Sequence, residues 1–165
     1  MEEVTSVLAN LLSLVSILRE QGETRKRIAE LLGRTVRIGE STRATFKYVK
    51  ELGELPPSKV PLLRMLKEHA YAPYEPGMRV ELVVNDHYVF IAEEGRENNI
   101  IDSGYLGSDV FSGFRLSFFL KLALYFDEKD WEEMRRIAAE KLREEAELLE
   151  RLKAIAAAIE LLLNK

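Results

Sequence analysis

Between Asp127 and Asn164 the chain contains no glycine and no proline. A helix over that stretch is about 55 Å long at ~1.5 Å per residue, longer than a compact domain of 165 residues is wide. Its start is written locally. In Phe126-Asp127-Glu128-Lys129-Asp130-Trp131, Asp127 is placed as the cap, with Phe126 and Trp131 flanking it as a hydrophobic staple. Its later half carries Leu148, Leu149, Leu152, Ile155, Ala156, Ile159, Leu162 and Leu163 inward, a broad apolar stripe at heptad-like spacing. Such a helix needs a partner, either the N-terminal helix or another subunit.

Glu2 to Glu20 reads as a helix, with Val4, Val7, Leu8, Leu11, Leu12, Leu14, Val15, Ile17 and Leu18 recurring at spacings of three and four. That stripe is too wide to rest one face on a small domain. Either the helix meets a subunit interface as well as the core, or it is fully buried. Gln21-Gly22 is expected to end it. Thr24 then caps a short helix, Arg25 to Leu32, which stops at Gly33. After a linker, Ser41 caps a further helix with Phe46, Val49 and Leu52 inward, and Gly53 ends it.

The order of an apolar first helix, then T-R-K-R-I-A-E-L-L-G, then I-G-E-S-T ahead of F-K-Y-V-K-E-L-G resembles the helix-turn-helix transcription regulators, including their winged-helix branch. The resemblance covers Val4 to Leu55, a third of the chain. Arg34 to Arg37 lengthen the usual turn, and the proline-rich exit from Leu55 to Pro61 stands where a wing is expected. The resemblance implies a recognition helix presenting Ser41, Arg43, Ala44 and Lys47 to the major groove of double-stranded DNA. Arg43 would read guanine and Lys47 would reach phosphate. Arg25, Arg34 and Arg37 would add sequence-independent attraction. A dimer would set two such helices about 34 Å apart.

Charge is unevenly spread. The net charge is −4, yet Arg19 to Lys50 holds nine basic and four acidic residues, a local +5. Asp127 to Glu150 holds ten acidic and five basic residues, a local −5. Screening limits surface fields to about 8 Å at physiological salt, so the patch matters more than the total.

The middle of the chain changes period. A helix is expected over Leu62 to Ala70. Met78 to Val84 and His87 to Ala92 then alternate as strands about an Asn85-Asp86 turn. Glu93 to Asn99 reads as a polar turn, Ile100-Ile101 as the start of a short third strand, and Asp102 to Gly113 as a loop. Phe114 to Phe126 reads as an apolar helix.

Enzymatic chemistry finds little footing. Cysteine is absent, and neither His69 nor His87 has a ligand partner at metal-site spacing. Asp102-Ser103 has no identifiable histidine to activate it. The aromatics from Tyr105 to Phe126 are expected to form core.

The expected fold is mostly α with a small β-hairpin. A helix-turn-helix part (1–72) precedes a hairpin and apolar helix (73–126) and a long C-terminal dimerisation helix (127–165). The expected function is that of a dimeric DNA-binding transcription regulator, cytoplasmic, joined through its N- and C-terminal helices. No enzymatic activity, metal, cofactor or membrane association is expected. The alternatives are a protein-interaction or assembly module acting through the long C-terminal helix, and a small-ligand sensor.

Overall fold

The computed structural model describes residues 2–33, 44–59, 72–106 and 112–164. Its elements in chain order are α1 (Glu2–Leu31), β1 (Lys47–Glu54), β2 (Arg79–Asn85), β3 (Tyr88–Glu93), β4 (Arg96–Tyr105), α2 (Ser112–Tyr125) and α3 (Glu128–Leu163). The chain divides into two compact units. Met1–Arg43 and Trp131–Lys165 make one, and Ala44–Asp130 the other, which cuts across the sequence-based division at 72/73 and 126/127.

In the first unit α1 runs unbroken through Gln21-Gly22, where a helix end was expected. A mid-helix glycine costs roughly 1 kcal/mol relative to alanine, and side-chain bonds at the same turn offset that. Gln21 is buried, and its Nε2 donates to the Glu145 carbonyl and to Glu145 Oε2, each at 2.8 Å. Nearly two turns further along α1, Arg27 pairs with Glu160 at 2.9 Å. Contacts climb α1 and α3 together, so the helices run in the same direction. The helix does end where expected, at Gly33, whose φ of 72° favours glycine. The buried residues of α1 are Val7, Leu11, Leu14 and Gln21, and those of α3 beyond Asp130 are Trp131, Met134, Ala138 and Leu149.

In the second unit the four strands form one antiparallel sheet in the order β1-β2-β3-β4. The sheet is larger than the expected hairpin, so the fold is mixed α and β. The expected helix ending at Gly53 is replaced by β1. Phe46, Val49 and Leu52 fit a spacing of three, but the side chains turned inward are Phe46, Tyr48, Lys50 and Leu52, a spacing of two, and Val49 is 43% exposed. The aromatic and β-branched residues suit a strand paired to β2 from Lys47↔Asn85 onward. Gly53 sits at a bulge rather than at a helix end, with φ 64°.

The β2–β3 hairpin forms as expected, with its turn one residue later at Asp86-His87. The third strand expected to start at Ile100-Ile101 is present as β4, and it extends on both sides into residues read as polar turn and as loop. Glu94-Gly95 makes the turn, and Arg96 to Tyr105 runs on through Asp102-Ser103. Burial explains this, because Ile101 to Gly104 are all buried, and Asp102, Ser103 and Gly104 stand opposite Ile91, Phe90 and Val89 of β3. The expected helix over Leu62 to Ala70 lies outside the described residues.

Helix α2 packs on β4 where glycine allows it. A Cβ on Gly104 would stand 3.4 Å from the backbone of Phe118. Phe118, Lys121, Leu122 and Tyr125 recur at helical spacing and are the buried face of α2. The cap of α3 is the expected one. Asp127 Oδ1 accepts from the Asp130 amide at 3.0 Å, and Asp130 Oδ2 accepts from the Asp127 amide at 2.9 Å. Phe126 and Trp131 are both buried.

Candidate interaction surface

The residues expected to bind DNA fall in different places. Arg25 is exposed on α1, in the first unit. Half-buried Ala44 and exposed Lys47 stand at the start of β1, in the second unit. Lys47 makes an ion pair with Glu97. Arg34, Arg37, Ser41 and Arg43 lie outside the described residues. The segment from Lys47 onward is strand, so Ala44 and Lys47 do not share the face of a recognition helix.

The apolar surface of α3 is more telling. Its contacts with α1 follow one stripe: Glu145, Lys153 and Glu160 bond Gln21, Glu20 and Arg27, and Ala156 and Ala157 floor a shallow groove beside Arg27. Several of these contacts are polar. The neighbouring stripe, Leu148, Leu152, Ile155, Ile159 and Leu162, advances by four, three, four and three residues, the spacing of a coiled-coil seam. Ile155 is 49% exposed and Leu162 71%, whereas Leu149 beside them is 5% exposed. Leu32, at the end of α1, and Leu161 and Leu163 are also more than half exposed. The sequence marks Leu148, Leu149, Leu152, Ile155, Ala156, Ile159, Leu162 and Leu163 as one inward stripe, but Ile155, Leu162 and Leu163 are exposed, because α1 covers only the side of α3 that holds Leu149.

Two polar clusters in the second unit escaped the sequence reading. Lys121 is 1% exposed and stands 3.5 Å from Asp102 Oδ1, while donating to the Ser103 carbonyl at 2.7 Å. The ammonium meets the carbonyl of Ser103 and not its hydroxyl, so this geometry does not activate a nucleophile. Tyr125 lies one turn beyond Lys121. Its burial, followed by the Asp102 carboxylate and Tyr74, pushes the phenol up to about 12. The available signal was a lysine on the apolar face of α2.

The second cluster caps α3. Lys50 pairs with Asp130 and donates to the Tyr125 carbonyl at 2.8 Å, and Tyr48 Oη donates to Asp130 at 2.7 Å. Burial by itself would raise the Asp130 carboxyl. The bonds from Lys50, the Asp127 amide and Tyr48 outweigh it and hold the group below its ordinary value.

Among the described residues no three His, Asp or Glu side chains converge as a metal cage, and no helix is long and apolar enough to cross a membrane. Comparison with protein-family models, curated proteins and solved structures finds no match to this chain.

Proposed function

We propose that the chain is an assembly module that self-associates through its helix pair, a second copy covering the α3 seam. The observation that carries this reading is the heptad-spaced stripe from Leu148 to Leu162, in which Ile155 and Leu162 are exposed and Leu148, Leu152 and Ile159 only half-buried. Charge favours a second copy over a strongly charged partner. From Glu150 to Asn164 two acidic residues balance two basic ones, so like surfaces do not repel. In a symmetric pair, covering the parts of Ile155 and Leu162 still exposed in both copies would gain about 4–7 kcal/mol, at ~1.5–3 kcal/mol for each side chain fully buried. That is comparable with the cost of association, which points to a dimer that depends on concentration.

Light scattering coupled to gel filtration tests it. The expected result is a mass rising from 18.9 kDa towards twice that value across the micromolar range. Ile155→Glu with Leu162→Glu should hold the protein at the monomer mass with an unchanged circular dichroism spectrum. A wild-type chain that stays monomeric throughout would refute the proposal.

Duplex DNA binding by a dimeric transcription regulator is a second reading, supported by the local charge of +5 between Arg19 and Lys50 and by exposed Arg25 and Lys26. With β1 in place of a recognition helix, the reading rests on phosphate attraction and would carry a steep salt dependence. A mobility shift at low salt that Arg25→Ala with Lys26→Ala weakens would support it, and no shift of any duplex would remove it.

A further inference from the structure

The end of the sheet where β1 begins and the β2–β3 hairpin turns holds three side chains with unused polar atoms. The turn is tightly held. Asn85 Oδ1 accepts from the amides of His87 and Tyr88 at 2.8 and 2.9 Å, and the His87 carbonyl accepts from the Leu106 amide at 2.8 Å. Asp86 is fully buried, and its Oδ1 accepts from the Thr45 amide at 2.8 Å. Its other oxygen, Oδ2, has no hydrogen-bond partner, and neither has His87 Nε2 or Thr45 Oγ1, although all three atoms are buried. A buried carboxylate oxygen without a donor or a cation carries a heavy desolvation penalty.

Asp86 Oδ2 and His87 Nε2 face each other at 3.6 Å. That is long for a hydrogen bond from an imidazolium, for which about 2.7–2.9 Å is usual. Two ligands at ~2.0–2.1 Å from one tetrahedral metal stand about 3.3 Å apart, so a few tenths of an ångström of side-chain adjustment would let an ion bridge them. We propose that Asp86 and His87 form a site for a divalent transition-metal cation of the zinc class.

The donor set decides the class of ion. An imidazole nitrogen with a carboxylate suits zinc, cobalt, nickel or copper, whereas magnesium and calcium take oxygen ligands. The Thr45 amide bond to Oδ1 orients the carboxylate and leaves Oδ2 for the metal, the usual task of an outer-shell partner. The His87 side chain is 28% exposed while its Nε2 is buried, so an ion and its waters would enter by a turn of the exposed ring. With few protein ligands the site is open, and binding is weaker than at a closed structural zinc site. The bound ion would tie the start of β1 to the hairpin turn and so stabilise the sheet.

The test uses the full chain, stripped with a chelator and titrated with zinc chloride by calorimetry and by thermal melting. Saturable binding with a raised melting temperature is expected. Asp86→Asn keeps the acceptor for the Thr45 amide, and His87→Gln keeps the turn, so each should fold as the parent does while weakening zinc binding by about tenfold or more. Nuclear magnetic resonance of the unsubstituted protein gives an independent readout. Zinc should shift the imidazole signals of His87 and leave those of His69, the other histidine, unmoved. No binding at millimolar zinc, equal binding in both variants, or unmoved His87 signals would each overturn the proposal.

Discussion

Lys121 of α2 holds its ammonium 3.5 Å from the Asp102 carboxylate of β4, with both side chains at most 2% exposed. Such a pair adds little net stability compared with apolar residues of the same volume, but removing one partner strands the other charge in the interior. Lys121→Met is therefore expected to lower stability by about 3–5 kcal/mol. Adding Asp102→Leu should recover much of that loss. Urea denaturation of the two variants checks it, and an unchanged midpoint for Lys121→Met would show that the pair is not buried in solution.

The network at the start of α3 predicts a pH dependence of known sign. Asp130 has a folded-state pKa below its ordinary value of 3.8. Its contribution is fully present above the unfolded-state pKa and is lost as pH falls from there through the lower folded-state value. Asp130→Asn should therefore lower stability at pH 7 and flatten the acid limb of the stability profile. Parallel acid limbs for the two proteins would argue against the bonds from Lys50 and Tyr48.

Gly22 lies inside α1, and nothing stands within 4 Å of a Cβ built on it. Alanine there meets no obstacle and restricts the unfolded chain, so Gly22→Ala is expected to stabilise by about 0.5–1 kcal/mol. A lower melting temperature would mean that α1 is broken at Gln21-Gly22 in solution, as the local sequence suggests.

Where local chemistry and burial agree, the structure follows the sequence reading. Asp127 caps α3 because an acceptor side chain meets free amides within its own turn, and Gly33 ends α1 because it tolerates a positive φ. Neither device needs a distant partner. The β2–β3 hairpin was legible for the same reason, since strict alternation and a polar turn lie within one short stretch.

The departures all involve residues distant in sequence. Lys47 to Gly53 fits a helical period in Val49 and Leu52 and a strand period in Tyr48, Lys50 and Leu52; pairing with β2 selects the second. Asp102-Ser103 looks like a polar loop until Lys121 meets Asp102, and Gln21-Gly22 looks like a break until Glu145 receives the amide of Gln21. The sites share this origin. The α3 seam was visible as apolar spacing, but the stripe left uncovered depended on where α1 lay, and Thr45 is 41 residues from the Asp86 that its amide holds.

By itself, then, the sequence determined the long C-terminal helix with its cap, the end of α1, the central hairpin and the uneven charge, because these follow from neighbouring residues and from periodicity. Only the tertiary structure decided that β1 is a strand, that α1 is continuous, and which face of α3 stays open. In each case two local conformations are close in free energy, and contacts with residues far along the chain outweigh the small difference between them.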